Sequence, residues 1–311
     1  MAISRVSIAK ELLPGLNAVF GLEYGEVNNE HEALFEIENS DRAFEEEVMF
    51  TGFATAPVKG EGAAVSYDTA QETYVSRYTN ETVALAFAVT EEAMEDNLYD
   101  TFSKLRARGL ARAMANTKQV KGADVFNNGF SAAPAYVGGD GVAFFSAAHP
   151  TVSAGVQSNL AAAADLSEAA LETIITNIQK IKDDRNILIG SSAVSLHIPP
   201  DLWSTADQIL HSPGTTVAGG TGDGTYAQNN INAIRHMGMI PEGFFVNRRF
   251  TDTNNYYIKT DVPNGAKMFV RVPLQTKMEP DFDTGNLRFK ARERYSFGFS
   301  DWRSYFGSQG S

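Results

Sequence analysis

Residues 51–78 read "TGFATAPVKGEGAAVSYDTAQETYVSRY". The stretch carries the β-branched and aromatic residues that strands favour, yet Gly52, Pro57, Gly60 and Gly62 keep interrupting it. Between Phe53 and Tyr67 no apolar side chain is larger than valine, so the segment can add little to a hydrophobic core. The chain as a whole is 43% hydrophobic and has ample material for a core. A long stretch that cannot bury itself therefore needs a partner outside its own domain, or a reason to stay in water.

The 311 residues allow one large or two modest domains. A charged fraction of 21% is ordinary for a soluble globular protein. No apolar run reaches the roughly 18 residues of a membrane span, and "MAISRVSIAK" lacks the apolar centre of a signal peptide, which argues against export. Cysteine is absent, which removes disulfides, thiolate zinc sites and cysteine nucleophiles together.

The net charge of −12 is unevenly spread. Residues 1–50 hold eleven acidic residues against Arg5, Lys10 and Arg42, a net of −8. Residues 235–311 hold twelve Lys and Arg against eight Asp and Glu, a net of +4. Such a chain can pair with itself or with its copies. Its overall acidity argues against a dedicated nucleic-acid binder, which needs clustered cations for phosphates.

Residues 5–22 predict a short helix broken at Pro14-Gly15, with Ile8, Leu12, Leu16 and Val19 on one face. Residues 23–50 resemble an acidic arm more than a domain. "ETVALAFAVT" reads as a strand. A long helix follows, with Thr90 as N-cap and a span to about residue 121; a split near Gly109 is the alternative. Ser167 caps the next helix, stapled by Leu166 and Leu171. "NILIG" and "VSLHI" read as strands, Pro199 and Pro200 open another helix, and 212–230 reads as a glycine-rich loop dispensable for folding. The remainder alternates like antiparallel strands. In "NLRFKARERYSFGFS" one face is apolar except for Glu293. The other carries Arg288, Lys290, Arg292 and Arg294, a row that repels itself unless something negative lies across it.

No motif builds an active site. "GGTGDG" at 219–224 follows a helix rather than a strand, unlike a dinucleotide loop. The five histidines never fall at metal-ligand spacing, and His149 before Pro150 suits a hydrogen-bonded loop residue. "DFDTGN" at 281–286 reads as a hairpin turn, not a calcium loop. Neither a catalytic residue, a cofactor nor a metal is expected.

The order of elements is itself informative. An acidic arm, a long strand-like loop, a helix ending "ARAMANTKQVKGADVFNNGF", the connection "FFSAAHP…QSNL", "HIPPDLWSTADQIL" and the tail "GFSDWRSYFGSQGS" succeed one another. Together they resemble the major capsid proteins of tailed bacteriophages, of the Hong Kong 97 type and nearest to Mu-like head subunits.

The resemblance implies an α+β fold divided into an N-terminal arm (1–50) and an extended β-hairpin loop (51–82). It implies a peripheral domain with a long spine helix (83–165), an axial domain (166–266), return strands of the peripheral domain (267–295) and a C-terminal axial strand and tail (296–311). Its extended loop buries itself on a neighbouring subunit, which would explain residues 51–78. Some relatives crosslink a loop lysine to an asparagine; Lys59 is the loop's one lysine here, and its partner cannot be placed.

The implied function is an icosahedral shell of hexamers and pentamers around double-stranded DNA. Scaffolding, portal and decoration proteins would be its partners, and an encapsulin-like compartment of the same fold is the alternative. The expected subunit-interface residues are Glu45, Glu46 and Glu47 of the arm, facing the row Arg288, Lys290, Arg292 and Arg294 of another copy. Phe53, Lys59, Tyr67, Tyr74 and Tyr78 of the loop are expected to meet a neighbour too, as are Val65 and Val75.

Overall fold

The computed structural model describes residues 5–27, 29–90, 92, 99–214, 231–281 and 284–311, and of 5–15 and 99–103 the backbone alone. Helix α1 (Arg5–Glu26) runs through Pro14-Gly15, where the sequence predicts a break. An interior proline costs a helix about 3 kcal/mol, so packing must hold this one. Leu16 and Phe20, one turn apart, are buried in a small core; Phe20, not Val19, completes that face. Short α2 (Glu30–Leu34) and β1 (Glu36–Asn39) follow, and Leu34 and Phe35 enter the main core. The acidic segment is thus stitched into the body of its own chain.

Strands β2 (Phe44–Phe50) and β3 (Glu72–Thr79) form a separate antiparallel pair, and β4 (Glu81–Val89) follows directly. Helix α3 (Tyr99–Asn127) is 29 residues and passes unbroken through Gly109. At ~1.5 Å per residue it is about 43 Å long. The proposed cap at Thr90 falls against residues outside those described. In α3, Ala107, Leu110, Ala111 and Met114 face the small core with Leu16, Phe20 and Phe289.

Two short strands, β5 (His149–Pro150) and β6 (Val156–Gln157), fold back on each other in the connection after α3. Helix α4 (Glu168–Gln179) starts as the sequence predicts: Ser167 Oγ accepts from Ala170 N at 3.3 Å, and Leu166 and Leu171 are buried. "NILIG" is not a strand. Asn186 (φ 67°) and Gly190 (φ 74°) bend its backbone at both ends, and only an isolated bridge from Lys182 to Leu188 remains. Next come β7 (Ala193–Ile198), α5 (Trp203–His211), α6 (Ala233–Met237), β8 (Phe244–Val246) and β9 (Tyr256–Thr260). Of the 212–230 loop, residues 215–230 lie outside the described residues. The chain ends with the long hairpin β10 (Ala266–Pro280) and β11 (Leu287–Phe299), then β12 (Tyr305–Ser308).

Two four-stranded sheets organise these elements, in the orders β1-β10-β11-β4 and β12-β9-β7-β8. Their sides meet in one continuous core around Phe126, Phe144, Tyr257 and Tyr305. Asn159 fastens it: its amide nitrogen donates to carbonyls of Phe144, Trp302 and Tyr305 at 2.8–3.0 Å. Its oxygen lies 3.0 Å from His149 Nε2, and His149 Nδ1 lies 2.7 Å from Asp140. His149 is the hydrogen-bonded loop histidine the sequence suggests, stacked on Trp302 at 4.2 Å.

His197, on β7, is fully buried 3.0 Å from Ser195 Oγ. Burial first, and then the Lys259 charge, push its imidazole down to about 3. The unfolded imidazole, near 6.5, binds a proton that the folded one refuses, so this histidine costs stability as pH falls from 6.5 toward 3. The expected loss is about 1.4 kcal/mol per pH unit in that window. Urea unfolding at pH 7 and pH 5 should show it, with a flatter dependence in His197→Gln; equal dependence in both would contradict the assignment.

Candidate assembly surfaces

β2 and β3 are the legs of a hairpin, with Phe44 opposite Thr79 and Val48 opposite Val75. Thr51 N donates to Gln71 O at 2.8 Å and Gln71 N to Thr51 Oγ1 at 2.9 Å, closing the root of the loop between them. Asp68 accepts from Ala54 N at 2.7 Å; that bond, then one from Thr69 N, holds its carboxyl below the usual range. Arg185 donates to Thr69 O at 2.7 Å and lies 3.7 Å from Asp68. The root is therefore fixed to the body. Beyond it, residues 52–70 are exposed throughout, with a turn at 61–62. Phe53 is 63%, Val58 101%, Val65 64% and Tyr67 95% exposed, and Lys59 stands in water beside the turn. Such an apolar set has no place in its own chain.

Two loop residues depart from expectation. Tyr78 is buried in its own chain, its ring 4.8 Å from Phe269 and its hydroxyl 2.5 Å from Ser300 Oγ. A Cβ at Gly298 would meet that ring at 2.8 Å, so a glycine is required there. Tyr74 is half-buried with an enclosed hydroxyl, although Val75 between them is exposed. The period-two pattern of Tyr74, Ser76 and Tyr78 turns this face toward the first sheet, a signal hidden when 51–78 is read as one unit.

The acidic trio has partners within its own chain. Glu45 accepts from Ser40 Oγ at 2.8 Å and from the amides of Asp41 and Arg42, and the Ser40 bond leads in lowering its pKa. Glu46 sits 3.6 Å from Arg77, whose guanidinium covers the Phe44 ring. Glu47 joins Glu38 on the buried ammonium of Lys267 and also accepts from Ser300. All three are engaged within their own chain. Lys267 was missed because a lone lysine among apolar neighbours looks like a strand-edge residue. Burial pulls its pKa down, but its hydrogen bonds to Glu38 and Glu47 leave it raised.

The row itself is where the alternation predicts. Leu287, Phe289, Ala291, Glu293 and Tyr295 are buried on one face of β11, and Arg288 and Lys290 are exposed on the other. Arg292 and Arg294 beside them are half-buried. Arg288 pairs with Asp281, and Lys290 lies directly opposite Lys277 of β10. Among the described residues, Lys290, Arg292 and Arg294 have no ion-pair partner, and Arg294 Nε is enclosed without a hydrogen bond.

No group of three or more His, Asp or Glu among the described residues could hold a metal ion. No described helix is long and apolar enough to cross a membrane. What the geometry offers is surface: an exposed apolar loop and a cationic strand face on which, among the described residues, Lys290, Arg292 and Arg294 have no ion pair.

A family model described as "Phage capsid protein" matches residues 72–306, well over half of the chain. The chain belongs to the phage capsid protein family. This capsid protein is therefore a structural component of a virion, which assembles with its own copies into a shell, and not an enzyme. A search of curated proteins finds no match.

Solved structures agree on the fold. The capsid of a native GTA particle superposes with a TM-score of 0.57 at 13% identity, over 92% of this chain and 91% of that one. The procapsid of bacteriophage JBD30 gives 0.52 at 14% identity, over 99% and 77%. A virus-like particle from Pyrococcus furiosus gives 0.52 at 10% identity, over 95% and 98%. The capsid protein has the Hong Kong 97 type of mixed helix and sheet fold. The phage family favours a phage shell over a compartment of the same fold.

Proposed function

We propose that the capsid protein builds an icosahedral shell of hexamers and pentamers around double-stranded DNA, each subunit laying its extended loop on a neighbour. The exposed apolar side chains of residues 53–67 carry this reading, because a shell is where such a loop loses its contact with water. In this reading α3 is the spine of a peripheral domain spanning 83–165 and 267–295, the axial domain comprises 166–266 and 296–311, and 1–50 serves as the arm. Scaffolding, portal and decoration proteins join the assembly, which takes place in the host cytoplasm. The excess of acid over base keeps packaged DNA loosely held, since phosphate binding needs clustered cations. Negative-stain microscopy of the purified protein, with nuclease-protected DNA measured on particles from infected cells, tests it. Closed shells that protect DNA are expected; open sheets, or closed shells from infected cells that protect none, would contradict it.

A further inference from the structure

Among the described residues the first sheet ends in two edge strands, and they are unlike. One is β1, short, exposed along its length, with Glu36 and Glu38 alternating with Ile37. The other is β4, whose outer face is the low row Ala84, Ala86 and Ala88. Those alanines lie directly beside Arg292, Lys290 and Arg288 of β11. Small residues at the edge leave the long cations free to reach sideways across it.

Registers place the two charge sets on the same face. Glu36 and Glu38 sit beside Lys267 and Phe269, which pair with Gly298 and Ser296, and Ser296 shares its face with Arg294 two residues away. Carboxylates and cations both repeat every second residue, at about 6.8 Å along a strand. With Glu45, Glu46 and Glu47 used within the chain, Glu36 remains an edge carboxylate with no ion pair among the described residues. Unlike edges that match one another make a head-to-tail contact, which closes into rings when the rotation allows.

We propose that the β1 edge of one copy docks along the β4 edge of the next, Glu36 facing Lys290, Arg292 and Arg294, the cations of the row that have no ion pair among the described residues. The inference rests on the shell reading and names one contact within it. DNA is the other candidate for a cationic row, and the charge reversal below separates the two.

The chain lacks cysteine, so an engineered pair reports without background. Ile37→Cys would be combined in turn with Val83→Cys, Leu85→Cys and Phe87→Cys, on the corresponding face of β4. Within one chain the two edges are three strand spacings apart, roughly 14 Å, too far for a disulfide. Mild oxidation of assembled particles should give a ladder of linked subunits from at least one pair and from neither parent single variant. Lys290→Glu with Arg292→Glu should lower shell yield about tenfold at low salt, with unchanged melting, and the defect should shrink as salt rises. Shells seen by microscopy without a ladder from any pair would overturn this contact while leaving the shell reading intact. So would a double reversal that assembles normally, or one that only lowers DNA retention.

Discussion

Replacing residues 55–67 with a short glycine–serine linker is expected to leave the subunit's melting temperature within about 2 °C of the parent while abolishing shells. The segment removed contributes one backbone bond within itself, Ala63 N to Gly60 O, and its larger side chains lie in water. The linker spares Ala54, Asp68 and the Arg185 contact, so the root stays closed. Cross-strand pairs are worth about 0.2–1 kcal/mol each, and an isolated hairpin is marginal. Little folding energy is therefore lost. Thermal unfolding and electron microscopy of the same preparation decide the matter. An unfolded subunit would place the loop in its own core, and normal shells would deny it a part in assembly. Tyr74 and Tyr78 are kept out of the deletion because Tyr78 packs on Phe269 of the first sheet and Tyr74 has an enclosed hydroxyl.

The second large effect lies at Glu293, the one acid on the apolar face of β11. It is 1% exposed and 2.6 Å from Lys118 Nζ of α3. Tyr24 of α1 donates to the same carboxylate at 3.2 Å, and Lys118 also donates to the Tyr24 hydroxyl. The ammonium stands over the rings of Tyr24 and Tyr295 at 5.1 and 5.4 Å. This cluster joins α1, α3 and the first sheet. Lys118→Met leaves a buried carboxylate uncompensated and should cost about 3–5 kcal/mol in urea unfolding. Adding Glu293→Leu should recover most of that loss, since an apolar pair of similar size is often neutral. A single variant as stable as the parent would mean that water already screens the pair.

The same residue shows how far sequence reasoning reaches. Alternation along β11 separated a buried face from a cationic one and marked Glu293 as an exception, but its partner lies 175 positions earlier on α3. Period and capping are local, so Ser167, Leu166 and Leu171 were legible, as was the long helix. Pairing across the fold is not local. Pro14 read as a break because the packing of Leu16 and Phe20 that overrides it is tertiary. "NILIG" read as a strand because nothing in five residues announces the positive φ at Asn186. The glutamates at 45–47 read as partners for the cationic row because nothing local announces the serine hydroxyl, the arginine and the buried lysine that each engage one within the chain. The loop was legible from what it lacks, large apolar residues at a regular period.

The central claim is that residues 52–67 become buried only in the assembled shell. Hydrogen–deuterium exchange of this segment, in dissociated subunits and in intact particles, tests it directly. Near-complete exchange within seconds in the free subunit and strong protection in the shell is the expected result. Equal exchange in both states would contradict the account.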